Sequence, residues 1–253
     1  MDQTYALGYV AAFLLGTILG RVAHGWIHWL IRRRALACPG APCHTCQRTR
    51  RWWHTLPLLG VVLRGRCATC HTAIAWRSLL VELLCGTLYM FLYHQWPVSV
   101  PSVVFALLAV VLLVVSCIDL AHTIIPDAIT LPGLLAGLLA SLVLTPVGLG
   151  NALIGALLGG GVFFLIAVLS RGGMGGGDIK LIAMIGAFLG WQAVLATMFL
   201  GALLLTLLGL TLMLLRQKGR QDHLPFGPFL ATGALLTMVW GDALLTWYRQ
   251  LTL

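Results

Sequence analysis

Eight apolar stretches succeed one another along this chain, near 5–30, 79–96, 101–119, 129–146, 151–170, 179–192, 193–215 and 228–247, with few charges inside them. Runs of roughly 17–25 such residues cross a bilayer as helices, because a helix satisfies its own backbone where no water can. With 60% of its 253 residues hydrophobic and 9% charged, the chain carries more apolar surface than a soluble core of this size can bury. The reading is all-α: a polytopic helical membrane protein of about eight transmembrane helices. The sixth stretch is short, and its boundary with the seventh, around Gly190 and Trp191, is the least marked. Asp2 and the absence of a basic segment ahead of the first stretch favour a retained span over a cleaved signal peptide.

Basic residues set the expected orientation. Arg32, Arg33, Arg34, Arg48, Arg50, Arg51, Arg64, Arg66 and Arg77 lie between the first two stretches, 9 of the 16 Lys and Arg. The positive-inside rule makes that loop cytoplasmic. Counting forward, the loops holding Arg171 and holding Arg216, Lys218 and Arg220 fall on the same side, while the uncharged loops at 97–100 and 147–150 fall outside. Asp119 and Asp178 then share the cytoplasmic edge. The net charge of +9 is accounted for by topology, so no nucleic-acid partner is expected; membrane lipid is. This organisation divides the chain into a first transmembrane helix (1–31), a cytoplasmic cysteine-rich loop (32–78) and a transmembrane domain (79–253).

The loop carries Cys43-His-Thr-Cys46 and Cys67-Ala-Thr-Cys70, two Cys-x-x-Cys pairs 20 residues apart. That is the spacing of a tetrahedral four-cysteine zinc site. A segment this short builds little core, and a bound metal would supply the missing stability. Disulfides are the competing reading, which a reducing cytosolic face disfavours. Cys38 is a spare ligand or a free thiol, and Cys85 and Cys117 read as small buried apolar residues. His24 and His28, four apart on one helix face, read as packed polar residues. The glycines at 159–161 read as helix-packing positions.

The candidate chemistry lies in Arg171-Gly-Gly-Met-Gly-Gly-Gly-Asp-Ile-Lys180. Asp178 follows a glycine run and opens an apolar stretch, while Asp119 closes another. A carboxylate at a membrane boundary is costly and is a functional candidate by default, although a single one is often only a solvated end. Glycines such as Gly175 and Gly177 let a peptide backbone approach closely. Two neighbouring carboxylates cannot both ionise readily, so one holds a proton while the other activates water, the arrangement of an aspartyl protease. Asp127 competes with Asp119 for the first role on sequence grounds. Lys180 either snorkels to the interface or favours the ionised form of Asp178. Glu82 is read in the first turn of the second span, where the helix dipole favours an anion, a reading that competes equally with a functional role beside Arg77.

Taken in order, these motifs resemble those of the bacterial type IV prepilin peptidases. The matching residues are Cys43-x-x-Cys46, Leu56-Pro57-Leu58, Arg64-Gly65-Arg66-Cys67-x-x-Cys70, and Arg77 with Leu80-Val81-Glu82. Further on come Ile118-Asp119-Leu120-x-His122, Ile125-Pro126-Asp127, Gly173-Met174-Gly175-x-Gly177-Asp178-x-Lys180-Leu181 and Pro225-Phe226-Gly227-Pro228. The resemblance implies that Asp119 and Asp178 are the catalytic pair. It also implies a bacterial inner-membrane enzyme that cuts the leader from type IV prepilins or type II secretion pseudopilins after a glycine. Methylation of the new terminus with S-adenosylmethionine is implied by the resemblance alone.

The first span departs from that pattern. The family's Gly-Ser-Phe-Leu-Asn and following Arg-Leu-Pro are replaced by Gly16-Thr-Ile-Leu-Gly20 and by Gly25-Trp26-Ile27 after His24. The departure touches substrate docking or methyl transfer and leaves the peptidase elements intact. Three alternatives stay open: a peptidase without methylation, a transporter or channel using the acids as a coupling site, and a non-catalytic zinc-binding assembly protein. The oligomeric state is not legible in the sequence.

Overall fold

The computed structural model describes residues 3–32, 76–95, 99–142, 147–170, 173–215 and 225–252. The four zinc-ligand candidates Cys43, Cys46, Cys67 and Cys70 lie outside the described residues, as do Cys38, Arg171, Arg216, Lys218 and Arg220. Among the described residues there are seven helices and no strand. They are α1 (Gln3–Arg32), α2 (Trp76–Gln95), α3 (Val100–His122), α4 (Asp127–Ala140), α5 (Gly148–Leu169), α6 (Gly176–Leu214) and α7 (Gly227–Thr252). Three of them, α3, α5 and α6, are long and apolar enough to cross a membrane. Shorter apolar helical stretches run over Leu7–Gly20, Asp127–Ala140 and Gly227–Gly241. Large apolar side chains face outward on the long helices, including Leu157 at 74%, Phe199 at 68% and Leu214 at 76% exposure. Water would penalise such a surface and lipid does not. The chain is a helical membrane protein.

Two compact units divide the chain, Met1–Ser102 and Val103–Leu253. In the first, α1 packs on α2 through small residues. Gly8 sits under the Tyr93 ring, Gly16 lies on the backbone of Cys85 and Gly86, and Gly86 lies on Phe13 and Thr17. Tyr9 meets Tyr93 edge-on at 5.3 Å and its hydroxyl hydrogen-bonds His94 Nδ1 at 2.7 Å. Glu82 departs from its expected setting. The helix starts at Trp76 with no acid in its first turn, and Glu82, a turn further in, is only 3% exposed. Burial between packed helices, and not a helix-end dipole, is its environment.

In the second unit α6 is the centre, flanked by α4, α5 and α7. Leu181, Ile182, Met184, Ile185 and Val194 of α6 are fully buried. Backbones come close where side chains are absent: Gly155 of α5 rests on Gly186 and Gly190, and Gly133 and Gly137 of α4 rest on Met184 and on Ala187 and Phe188. Of the glycines expected to pack, Gly159 meets Val194 and Gly160 meets Ala183, while Gly161 faces open space.

At 39 residues and ~1.5 Å per residue, α6 is about 58 Å long, nearly twice a ~30 Å hydrocarbon core. It does not run straight. Gly190 has φ 82 and ψ 177, a region essentially confined to glycine, so the backbone breaks at the boundary expected between the sixth and seventh stretches. The fourth stretch is expected over 129–146, and α4 ends at Ala140. Its end is closed by Ser141, whose N–H donates to Gly137 O at 2.9 Å and whose hydroxyl donates to Leu138 O at 2.7 Å.

Candidate active site

The second unit brings both acids to helix ends. Asp119 is in the last turn of α3 and is 5% exposed. Its carbonyl accepts the Thr123 N–H at 2.7 Å, which closes the helix. Thr123 has φ 52 and is the one non-glycine residue at positive φ among the described residues. A β-branched side chain is strained there, so the chain turns sharply directly after the acid. Ile124 is left exposed, Ile125 is buried, and Pro126 caps α4 with Asp127 as its first helical residue.

Asp178 is the third residue of α6, behind the cap Gly175. Its N–H donates to Gly175 O at 3.1 Å, and its carboxylate lies back toward Gly175, where a Cβ would stand 3.3 Å from Oδ2. An acid at this position lies at the positive end of the helix dipole. Asp119 has the opposite problem, since it sits at the negative, carbonyl end of its own helix. Another helix compensates. Gly227 is the first residue of α7, and its buried N–H donates to Asp119 Oδ2 at 2.9 Å. A Cβ at Gly227 would lie 2.8 Å from that oxygen, so a side chain there would push the carboxylate away. Phe226 beside it stacks on Phe163 with ring centroids 5.7 Å apart. The carboxylates of Asp119 and Asp178 lie within electrostatic reach of one another.

The glycines of the loop divide their roles. Gly177 is not an open cradle, because a Cβ there would lie 2.8 Å from Ile125 Cβ. Gly175 lies 3.3 Å, by the same measure, from Asp178 Oδ2, and Gly176 faces open space. Lys180 pairs with Asp127. Its Nζ donates to both Asp127 oxygens at 2.7 Å, with the two side chains 40% and 57% exposed. Asp127, the rival acid, is thus exposed and engaged by a lysine, whereas Asp119 is buried and within electrostatic reach of Asp178. Among the described residues no group of three or more His, Cys, Asp or Glu is placed to hold a metal.

Gly227, Ile125 and Thr123 were not assigned roles from the sequence. A signal for Gly227 does exist in Pro225-Phe226-Gly227-Pro228, since a glycine followed by proline ahead of an apolar run marks a helix start. The partner of its N–H, 108 residues away, leaves no local trace.

Residues 106–210 match the model of the type IV leader peptidase family, and residues 14–96 match that of the bacterial peptidase A24 N-terminal domain. The chain is 36% identical over 222 residues to the prepilin leader peptidase/N-methyltransferase of Pseudomonas putida, covering 85% of this chain and 77% of that one. The chain belongs to the type IV leader peptidase family. Its relatives of the same name include that of Aeromonas hydrophila, 36% identical over 219 residues (84% of this chain, 76% of the relative), and that of Legionella pneumophila, 35% identical over 221 residues (84% and 76%). No solved structure matches the chain. The leader peptidase family is one of aspartyl proteases, and this chain is an enzyme of that class. Asp119 and Asp178 both fall within the family-model match, while Gly227 lies beyond it.

Proposed function

We propose that this enzyme is an intramembrane aspartyl endopeptidase that removes the leader of type IV prepilins or type II secretion pseudopilins after a glycine, with Asp119 and Asp178 as its catalytic acids. One observation carries the assignment: two carboxylates from distant parts of the chain are placed at helix ends within electrostatic reach of one another, Asp119 held there by the Gly227 N–H. Water attacks the scissile carbonyl carbon as one of its protons passes to the ionised acid. The carbonyl oxygen is polarised, then protonated, by the acid that holds a proton. Collapse of the tetrahedral intermediate expels the amine, which takes its proton from the first acid, and the hydroxyl proton returns to the second. The pair starts and ends with one shared proton.

The proposed topology has eight spans, with α6 contributing two across the Gly190 break, in the bacterial inner membrane and with the acids at the cytoplasmic face. The arginine-rich segment between α1 and α2 supports that orientation. Cys43, Cys46, Cys67 and Cys70 are proposed to hold one structural zinc. The relatives' names carry a second activity, N-methyltransferase. By that reading S-adenosylmethionine supplies an electrophilic methyl group to the newly exposed amine. A peptidase-only reading is favoured by one feature, Gly20. A Cβ there would lie 2.9 Å from Cys85 Cβ and 3.1 Å from the Glu82 Cα, so the position that holds an asparagine in the resembling family pattern is closed by helix packing here.

The test is cleavage of a prepilin peptide by purified protein in detergent. Asp119→Asn and Asp178→Asn keep size and polarity but remove the acid–base chemistry, so each is expected to lose activity by at least ~10³-fold while still accumulating. Near-normal cleavage by either variant refutes the assignment. Mass spectrometry of the product on the same substrate, with S-adenosylmethionine supplied, separates the bifunctional reading from the peptidase-only one.

A further inference from the structure

The contact between Lys180 and Asp127 has no part in the proton transfers above, yet it bridges the two segments that carry the acids. Asp127 opens α4 directly after the turn that leaves Asp119, and Lys180 follows Asp178 on the same helix by two residues. The geometry points to Asp127 and Lys180 as positioning residues, a clasp that holds the turn after α3 against the first turns of α6 and so sets the placement of one acid relative to the other.

Three observations support the clasp. First, among the described residues the backbones of α3 and α6 do not run close together along their lengths, while the end of α3 is tied toward the start of α6 through the turn, through α4, and through Gly227 of α7. Second, the turn makes another contact at the same place, where Ile125 fills the space over Gly177, the residue before Asp178. Third, Nζ meets both carboxylate oxygens at 2.7 Å across 53 residues of sequence. A lysine that merely reached for water would have no need of a fixed acid.

Stability is not an adequate reason for the pair. Both side chains are substantially exposed, and exposed ion pairs contribute little to folding. Reaction rates are far more sensitive to small displacements of reacting groups than folding is to one surface pair. The expected signature is therefore a loss in kcat without a loss in stability.

The inference rests on Asp119 and Asp178 being the reacting acids, and the test keeps the two ideas apart. Full-length wild type, Asp127→Asn, Lys180→Met, Lys180→Arg, the reversal D127K/K180D, Asp119→Asn and Asp178→Asn are assayed on one peptide spanning a prepilin leader site, with thermal unfolding in the same detergent. Asp127→Asn and Lys180→Met are each expected to lose about tenfold in kcat, with KM within about twofold and the unfolding temperature unchanged. Lys180→Arg, whose guanidinium also pairs with both carboxylate oxygens, should restore most of the rate. The reversal should exceed either single variant by about threefold or more, because the pair is remade with its ends exchanged. The clasp is refuted if both single variants stay within about twofold of wild type, if the reversal is no faster than the slower single variant, or if the rate falls only in step with stability. Dead Asp119→Asn and Asp178→Asn beside unaffected clasp variants would refute the clasp alone. Cleavage by either of those two would refute the dyad and the clasp together.

Discussion

Replacing Gly227 by alanine isolates the contribution of one backbone N–H to one carboxylate. The glycine is at an ordinary helical φ, so alanine adds no backbone strain. Its methyl would stand 2.8 Å from Asp119 Oδ2, 3.2 Å from Cγ and 3.3 Å from Cβ, closer than carbon and oxygen normally approach. Asp119 is 5% exposed and has little room to retreat without lengthening the 2.9 Å bond from Gly227. A hydrogen bond to a charged group is worth about 1.5–3 kcal/mol. Its loss in the transition state corresponds to about 10–100-fold in rate. Alanine has up to ~1 kcal/mol better helix propensity than glycine, which offsets part of any packing cost. Gly227→Ala should therefore reduce kcat on a prepilin peptide by about 10–100-fold, while thermal unfolding in detergent shifts little. A variant that cleaves within about twofold of wild type would show that Gly227 does not hold Asp119 in the reactive state.

Gly190→Ala has ordinary clearance, with Val147 and Asn151 no nearer than 3.5 Å, so its cost is that of a forbidden backbone. About 1–3 kcal/mol of stability should be lost in chemical or thermal unfolding, and an unchanged value would show that α6 does not need the break. Thr123→Asn relieves a β-branched residue at φ 52 and is expected to raise stability by about 0.5–1 kcal/mol; a fall would mean the threonine is held by more than its turn. Protein purified without added metal should contain about one zinc per chain, lost when Cys43 and Cys46 are both replaced by serine; four readily alkylated thiols and no zinc would refute the site.

Much of the helical framework was legible because apolar runs without charges leave few other options in a membrane. The position of Asp119 at a helix end and of Asp178 at a helix start follow from where those runs stop and begin. Gly190 was marked only as a soft boundary, since apolar residues flank it on both sides and periodicity does not register a backbone break. The length of α4 was overestimated because hydropathy continues past Ala140 while hydrogen bonding to Ser141 ends the helix. Glu82 was misplaced because the helix begins at Trp76, ahead of the apolar run. Lys180 with Asp127 and Gly227 with Asp119 were illegible for one reason. Each joins residues 53 or 108 positions apart, and neither member changes the local pattern around it.

The bond from Gly227 to Asp119 also imposes an order of events on biosynthesis. Both acids precede in the chain the residue that restrains one of them. Until α7 docks, Asp119 stands at the unfavourable end of its own helix without its donor. A partly inserted chain therefore contains the acids but lacks the set geometry, and arrival of α7 completes it. Cleavage should consequently be slow until α7 has docked and reach its full rate only in the finished bundle.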